Sequence, residues 1–167
     1  MLKKLFTVVL FAVLFSSVVF AQSSEKTNSF NSEITIDKSG VILIIERISY
    51  DFGSAQRHGI TRAITFVKTN DAGERFKLNF QDIKATDEKN KTYPVSTSTE
   101  GDKLKVIIGD PNVTVTGAKN YVVSYKVSGA ITYFSDYDEL YWNITGNDTT
   151  VPTTTSSSVI TLPGNTE

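Results

Sequence analysis

Apolar residues fall on every second position along most of the chain. Phe76, Leu78 and Phe80 alternate with Lys77, Asn79 and Gln81, the cleanest half-buried pattern in the first half. The same alternation recurs at Leu104, Val106 and Ile108, at Tyr121, Val123, Tyr125 and Val127, and at Leu140, Trp142 and Ile144. A two-residue period marks a strand with one dry and one wet face, and no segment carries a helical stripe over three turns. Further extended segments are expected over residues 33–37, 41–50, 60–67, 93–98, 113–116 and 153–162. Residues 41–50 are rich in Val, Ile and Leu, and their first half is apolar on both parities, which predicts a central strand covered on each side. Pro94 argues for an edge position in the segment that it opens. Turn residues separate the runs, among them Lys38-Ser39-Gly40, Asn70-Asp71-Ala72-Gly73 and Glu100-Gly101-Asp102. Eight or nine short strands must stack two sheets or close a barrel to bury their dry faces. The expected fold is all-β and mostly antiparallel, an immunoglobulin-like or related β-sandwich over residues 33–162, with a small barrel as the alternative.

The pattern changes at the N-terminus. Lys3 and Lys4 precede an apolar stretch over residues 5–20, broken only by Thr7, Ser16 and Ser17, and Val19 and Ala21 stand at the −3 and −1 positions of a signal peptidase site. Residues 1–21 read as a cleaved export signal with the cut before Gln22; the alternative is an uncleaved anchor. Residues 22–32 are polar and read as a flexible lead-in. Residues 163–167 read as a tail or a truncation point.

Charge and composition narrow the function. Loss of Lys3 and Lys4 with the signal leaves 15 basic against 18 acidic residues, a net charge of about −3. No basic stripe is present, which argues against nucleic acid as a partner. Cysteine is absent, so packing alone must hold an exported domain together. One histidine, His58, is too few for a histidine-rich zinc centre, and neither a metal nor a cofactor is expected.

Three groups of residues are candidates for function. Arg57, His58 and Arg62 surround Gly59 in a polar corner, where they could bind an anion or a partner, or bond loop carbonyls and a carboxylate. Asp136, Asp138 and Glu139 crowd into four residues without the spacing of an EF-hand. Tyr133, Phe134, Tyr137, Tyr141 and Trp142 form an aromatic stretch that could stack sugars or anchor a protein. Strand parity sends Trp142 to the core with Leu140 and Ile144, and leaves Tyr141 on the outer face with Glu139 and Asn143. The binding candidates are therefore Arg57, His58, Arg62, Asp138, Glu139 and Tyr141. Gly59, Trp142, Asn143 and Gly146 are assigned structural roles.

Four blocks, in order and spacing, resemble the DUF2207 family of predicted bacterial and archaeal membrane proteins. They are Tyr50-Asp51-Phe52-Gly53 with Arg57-His58-Gly59-Ile60-Thr61-Arg62; Ile107-Ile108-Gly109-Asp110 with Val115-Thr116-Gly117; Tyr121-Val122-Val123-Ser124-Tyr125; and Asp138-Glu139-Leu140-Tyr141-Trp142-Asn143-Ile144-Thr145-Gly146. The resemblance implies a signal peptide and an extracytoplasmic β domain, followed by transmembrane helices and a low-complexity tail. It brings no catalytic residues. The chain departs from the family at Asn147-Asp148-Thr149-Thr150, where a second Trp tends to precede the Val-Pro seen here as Val151-Pro152, and it stops before any membrane helix.

The expectation is an exported, non-catalytic binding, sensing or assembly domain of a membrane-associated protein. Its partner would be an envelope or membrane-embedded protein, and attachment would come through a missing C-terminal region or an uncleaved signal; without either, the domain would be secreted. The rival is a carbohydrate-active or peptide-hydrolysing enzyme using Asp136, Asp138, Glu139 or His58, which requires those side chains to converge in one cleft.

Overall fold

The computed structural model describes residues 25–70, 73–146 and 151–164. The expected signal and the departure at residues 147–150 lie outside them, as do the last three residues of the tail. The described chain has no helix and runs through twelve strands. The first half holds β1 (Lys26–Ile36), β2 (Ile42–Asp51), β3 (Ile60–Thr65), β4 (Val67–Thr69), β5 (Arg75–Lys77) and β6 (Asn79–Thr86). The second holds β7 (Val95–Glu100), β8 (Lys103–Ile108), β9 (Ala118–Ser128), β10 (Ile131–Tyr133), β11 (Asp138–Leu140) and β12 (Thr153–Thr161). A five-stranded sheet has the order β12-β1-β2-β9-β6 and a three-stranded sheet the order β3-β8-β7, while β4–β5 and β10–β11 form two small ribbons. Every pairing is antiparallel except β1 with β12.

The two-residue period builds the core. Ile34 of β1, Ile42, Ile44 and Ile48 of β2, and Tyr121, Val123, Tyr125 and Val127 of β9 are buried on one face of the large sheet. They join Ile64 of β3 with Val106 and Ile108 of β8 in a single buried cluster. Burying each of these aliphatic side chains contributes roughly 1.5–3 kcal/mol.

Several expectations are corrected. The polar lead-in is strand from Lys26 onward. Ladders to β2 and β12 on its two sides hold β1, so serine and asparagine need no apolar neighbours there, and Phe30 anchors it in the core. β2 is central, but only one of its faces is covered: Leu43 is 38% exposed. The alternation around Leu78 is cut into β5 and β6, because Leu78 N–H donates to Phe66 C=O and leaves Phe76 outside the core. Residues 113–116 make one bridge, between Val115 and Arg57, rather than a strand. β7 lies at an edge, as Pro94 indicated. β12 is exposed on both faces along its whole length.

Candidate functional site

Arg62 is heavily hydrogen-bonded among the described residues, and its donors go to groups of the fold itself. Strand parity puts it beside Ile64 on the buried face of β3, and puts Glu46 among Ile42, Ile44 and Ile48 on β2. Arg62 Nε donates to the Glu46 carboxylate at 2.9 Å, and one Nη2 hydrogen reaches Glu46 Oε1 at 3.1 Å. The Tyr125 hydroxyl donates to the same Glu46 oxygen at 2.7 Å. The remaining donors go to the carbonyls of Ala63 at 2.9 Å, Thr145 at 3.2 Å and Ile144 at 2.6 Å. All five N–H groups of the guanidinium are thus engaged, and an anion would find none left. The Phe30 ring lies 5.2 Å from the guanidinium carbon. Burial alone would pull the Arg62 charge down, but Glu46 and Tyr125 outweigh it and hold its pKa above the ordinary value. Burial and the Glu46 carboxylate push the Tyr125 hydroxyl well up.

This arrangement explains the Asn143–Gly146 block. Gly146 N–H donates to Asn143 Oδ1 at 2.9 Å, closing a turn that aims the Ile144 and Thr145 carbonyls at Arg62. Gly146 has φ of +81°, and a Cβ there would stand 2.9 Å from Arg62 Nη1. Glu46 was not singled out from the sequence. The available signal was its parity: a carboxylate on the same side of the strand as three isoleucines demands a buried partner.

Arg57 and His58 are surface residues. Arg57 Nε donates to Glu25 Oε1 at 2.8 Å, and the Tyr50 hydroxyl donates to Glu25 Oε2 at 2.8 Å. His58 Nδ1 lies 3.1 Å from the Val113 carbonyl. Glu25, Tyr50, Arg57 and Arg62 border a cleft of about 270 Å³. The Arg57 hydrogen bond holds the Glu25 carboxyl below the usual range, although burial opposes it. A carboxyl depressed in the folded state stabilises fully above the unfolded glutamate pKa and loses that contribution as pH falls through the folded value. Urea titrations of the native chain and Glu25→Gln should therefore differ at neutral pH and converge in acid. A gap that persists unchanged to pH 2 would contradict the ion pair.

Tyr133, Phe134, Tyr141 and Trp142 border a larger groove of about 680 Å³, which Tyr137 does not line. Glu139, Tyr141 and Asn143 line it, as outer-face parity required, and Trp142 joins them at its wall. Tyr133 and Tyr141 are 64% and 75% exposed. Leu140, Trp142 and Ile144 pack against the core, although the strand ends at Leu140. The Trp142 indole N–H is sealed from solvent with no acceptor among the described residues, an arrangement that costs about 1–3 kcal/mol. Lys68, also in the lining, donates to the carbonyls of Ala130 and Tyr141 at 3.0 Å each. Burial holds its ammonium below the ordinary value, and nearby Glu139 offsets part of this.

The acidic candidates do not converge. Glu139 lines the groove, but neither Asp136, Asp138 nor His58 lines it or the smaller cleft. Asp136 accepts a bond from its neighbour Ser135, and adjacent strand positions turn Asp138 away from Glu139.

Among curated proteins none matches the chain. A crystal structure of a candidate protease from Parabacteroides distasonis ATCC 8503 is similar at 8% identity and a TM-score of 0.33, over 65% of this chain and 24% of that one. The chain spans about a quarter of that structure's length, and a likeness this low transfers neither fold nor activity. Residues 26–167 match the family described as predicted membrane protein (DUF2207), N-terminal domain. That match takes in the buried Glu46–Arg62 pair, the loop it clasps and the aromatic groove, and the chain belongs to the DUF2207 family.

Proposed function

We propose that this is the non-catalytic, extracytoplasmic recognition domain of a membrane protein, and that it holds its partner in the aromatic groove. The observation that carries this reading is the groove itself. Large apolar side chains in water are costly unless something covers them, and Phe76, Tyr133 and Tyr141 collect at one concavity. The export pattern of residues 1–21 and the family's description support a place outside the membrane. The scattering of Asp136, Asp138, Glu139 and His58 favours binding over hydrolysis.

Tyr141→Ala is the direct test. Tyr141 lies outside the core, so its loss should change folding stability by less than about 0.5 kcal/mol. Retention of envelope proteins on the immobilised domain should fall with the same substitution. Equal retention by Tyr141→Ala and the native chain would remove the groove from the reading.

A further inference from the structure

The groove has a polar side that its aromatic lining does not use. β3 and β4 behave as one strand bent at Phe66. Phe66 N–H donates to Asp102 C=O at 2.9 Å, which continues the β3–β8 register in which Ile60 faces Ile108. Bonded and non-bonded pairs alternate in an antiparallel ladder, so Ile60, Arg62, Ile64 and Phe66 turn their main-chain groups toward β8. Beyond the bend, Leu78 N–H donates to Phe66 C=O at 2.7 Å and Asn70 N–H donates to Glu74 C=O at 3.0 Å. Those bonds fix Phe66, Lys68 and Asn70 toward β5 in the same way. Both partners therefore lie along one edge. The main-chain N–H and C=O groups of Thr65, Val67 and Thr69 point to the opposite edge, which has no backbone partner among the described residues. Ala63 C=O, the preceding member of that row, is taken by the Arg62 side chain.

That open edge borders the groove. Consecutive residues 67–70 all line it, as happens when the edge of a strand, rather than one face, bounds a cavity. Lys68 extends from β4 to the carbonyls of Ala130 and Tyr141.

We propose that the groove takes an extended polypeptide segment of another protein, which adds as a strand to the open edge at Thr65, Val67 and Thr69. This rests on the binding role given to the groove above and names its partner. Strand addition supplies the main-chain bonds, and alternate side chains supply the choice of sequence. One set of side chains would lie along Tyr141 and Trp142. The Lys68 ammonium is already held by two carbonyls, whereas Glu139 is exposed at the lip, so a basic residue on the incoming strand is favoured. A neutral oligosaccharide would cover the aromatic rings and leave the edge unpaired.

The test uses the full chain and three kinds of probe at millimolar concentration. They are an end-capped octapeptide alternating valine and lysine, two forms of it N-methylated at every valine or every lysine amide, and chitohexaose. Trp142 is the only tryptophan in the chain and lines the groove, so a change at its wall should move the emission. The unmodified peptide is expected to shift that emission and to slow amide exchange at Val67 and Thr69 at least about tenfold. At least one methylated form should lose both effects, and Glu139→Gln should weaken binding several-fold. Equal emission shifts from both methylated forms, or from chitohexaose alone, without protection at Val67 and Thr69, would overturn strand addition and leave the groove as a binding site. No shift with any probe would overturn both.

Discussion

Replacing Arg62 with methionine is expected to destabilise the domain by about 3–5 kcal/mol, because it strands the Glu46 carboxylate in the core with one hydroxyl for company. Folded domains carry only about 5–15 kcal/mol in total, so this is a large share. Glu46→Leu should cost a similar amount by stranding the guanidinium. The double variant Glu46→Leu/Arg62→Met should cost less than the two changes summed, with a coupling of about 0.5–3 kcal/mol. It should not return to native stability, since the Ile144 and Thr145 carbonyls and the Tyr125 hydroxyl lose their partner. Urea midpoints for the four proteins measure this directly, and simple additivity would show that the pair is not coupled. Because Arg62 clasps the loop after Trp142, the single variant should also move the Trp142 emission before global unfolding begins.

The second large effect belongs to Gly59. Its φ is +138°, and a Cβ there would stand 1.9 Å from the Ile108 carbonyl oxygen. Gly109 mirrors it, with φ of +138° and a Cβ position 1.9 Å from the His58 carbonyl oxygen. The two backbones approach too closely for any side chain, just where β3 begins and β8 ends. Gly59→Ala must shift main chain rather than a flexible side chain, and a loss of at least about 3 kcal/mol is expected. Gly101→Ala is the control: its φ is +59° with nothing within 4 Å, so only left-handed strain remains, about 1–2 kcal/mol. Comparable midpoints for the two variants would show that close approach is not the cause.

Much of this was legible in the residue order, for one physical reason. A strand turns its side chains alternately, so parity sorted Leu140, Trp142 and Ile144 inward and Glu139, Tyr141 and Asn143 outward even where regular pairing stops. At Gly59 and Gly146 the backbone runs at positive φ against Ile108 and Arg62, a crowding that composition does not reveal. What failed was whatever depends on a distant partner. For Arg62 the sequence allowed loop carbonyls and a carboxylate as partners, but it does not show that Glu46 is the carboxylate opposite it. Residues 26–32 looked loose because their polar side chains conceal a backbone bonded on both sides. The open edge at Thr65, Val67 and Thr69 was hidden for the same reason: which way a main-chain amide points depends on ladder register, not on residue type.

The parallel pairing of β1 with β12 has a mechanical consequence. Tension drawing residue 26 and residue 161 apart would slide these two strands lengthwise past each other. The eight aligned pairs from Thr27–Thr153 to Thr35–Thr161 would then resist together, instead of opening one at a time like a zipper. A strand with little of its surface in the core can therefore still act as the clamp of the domain, because its strength under load comes from direction rather than burial.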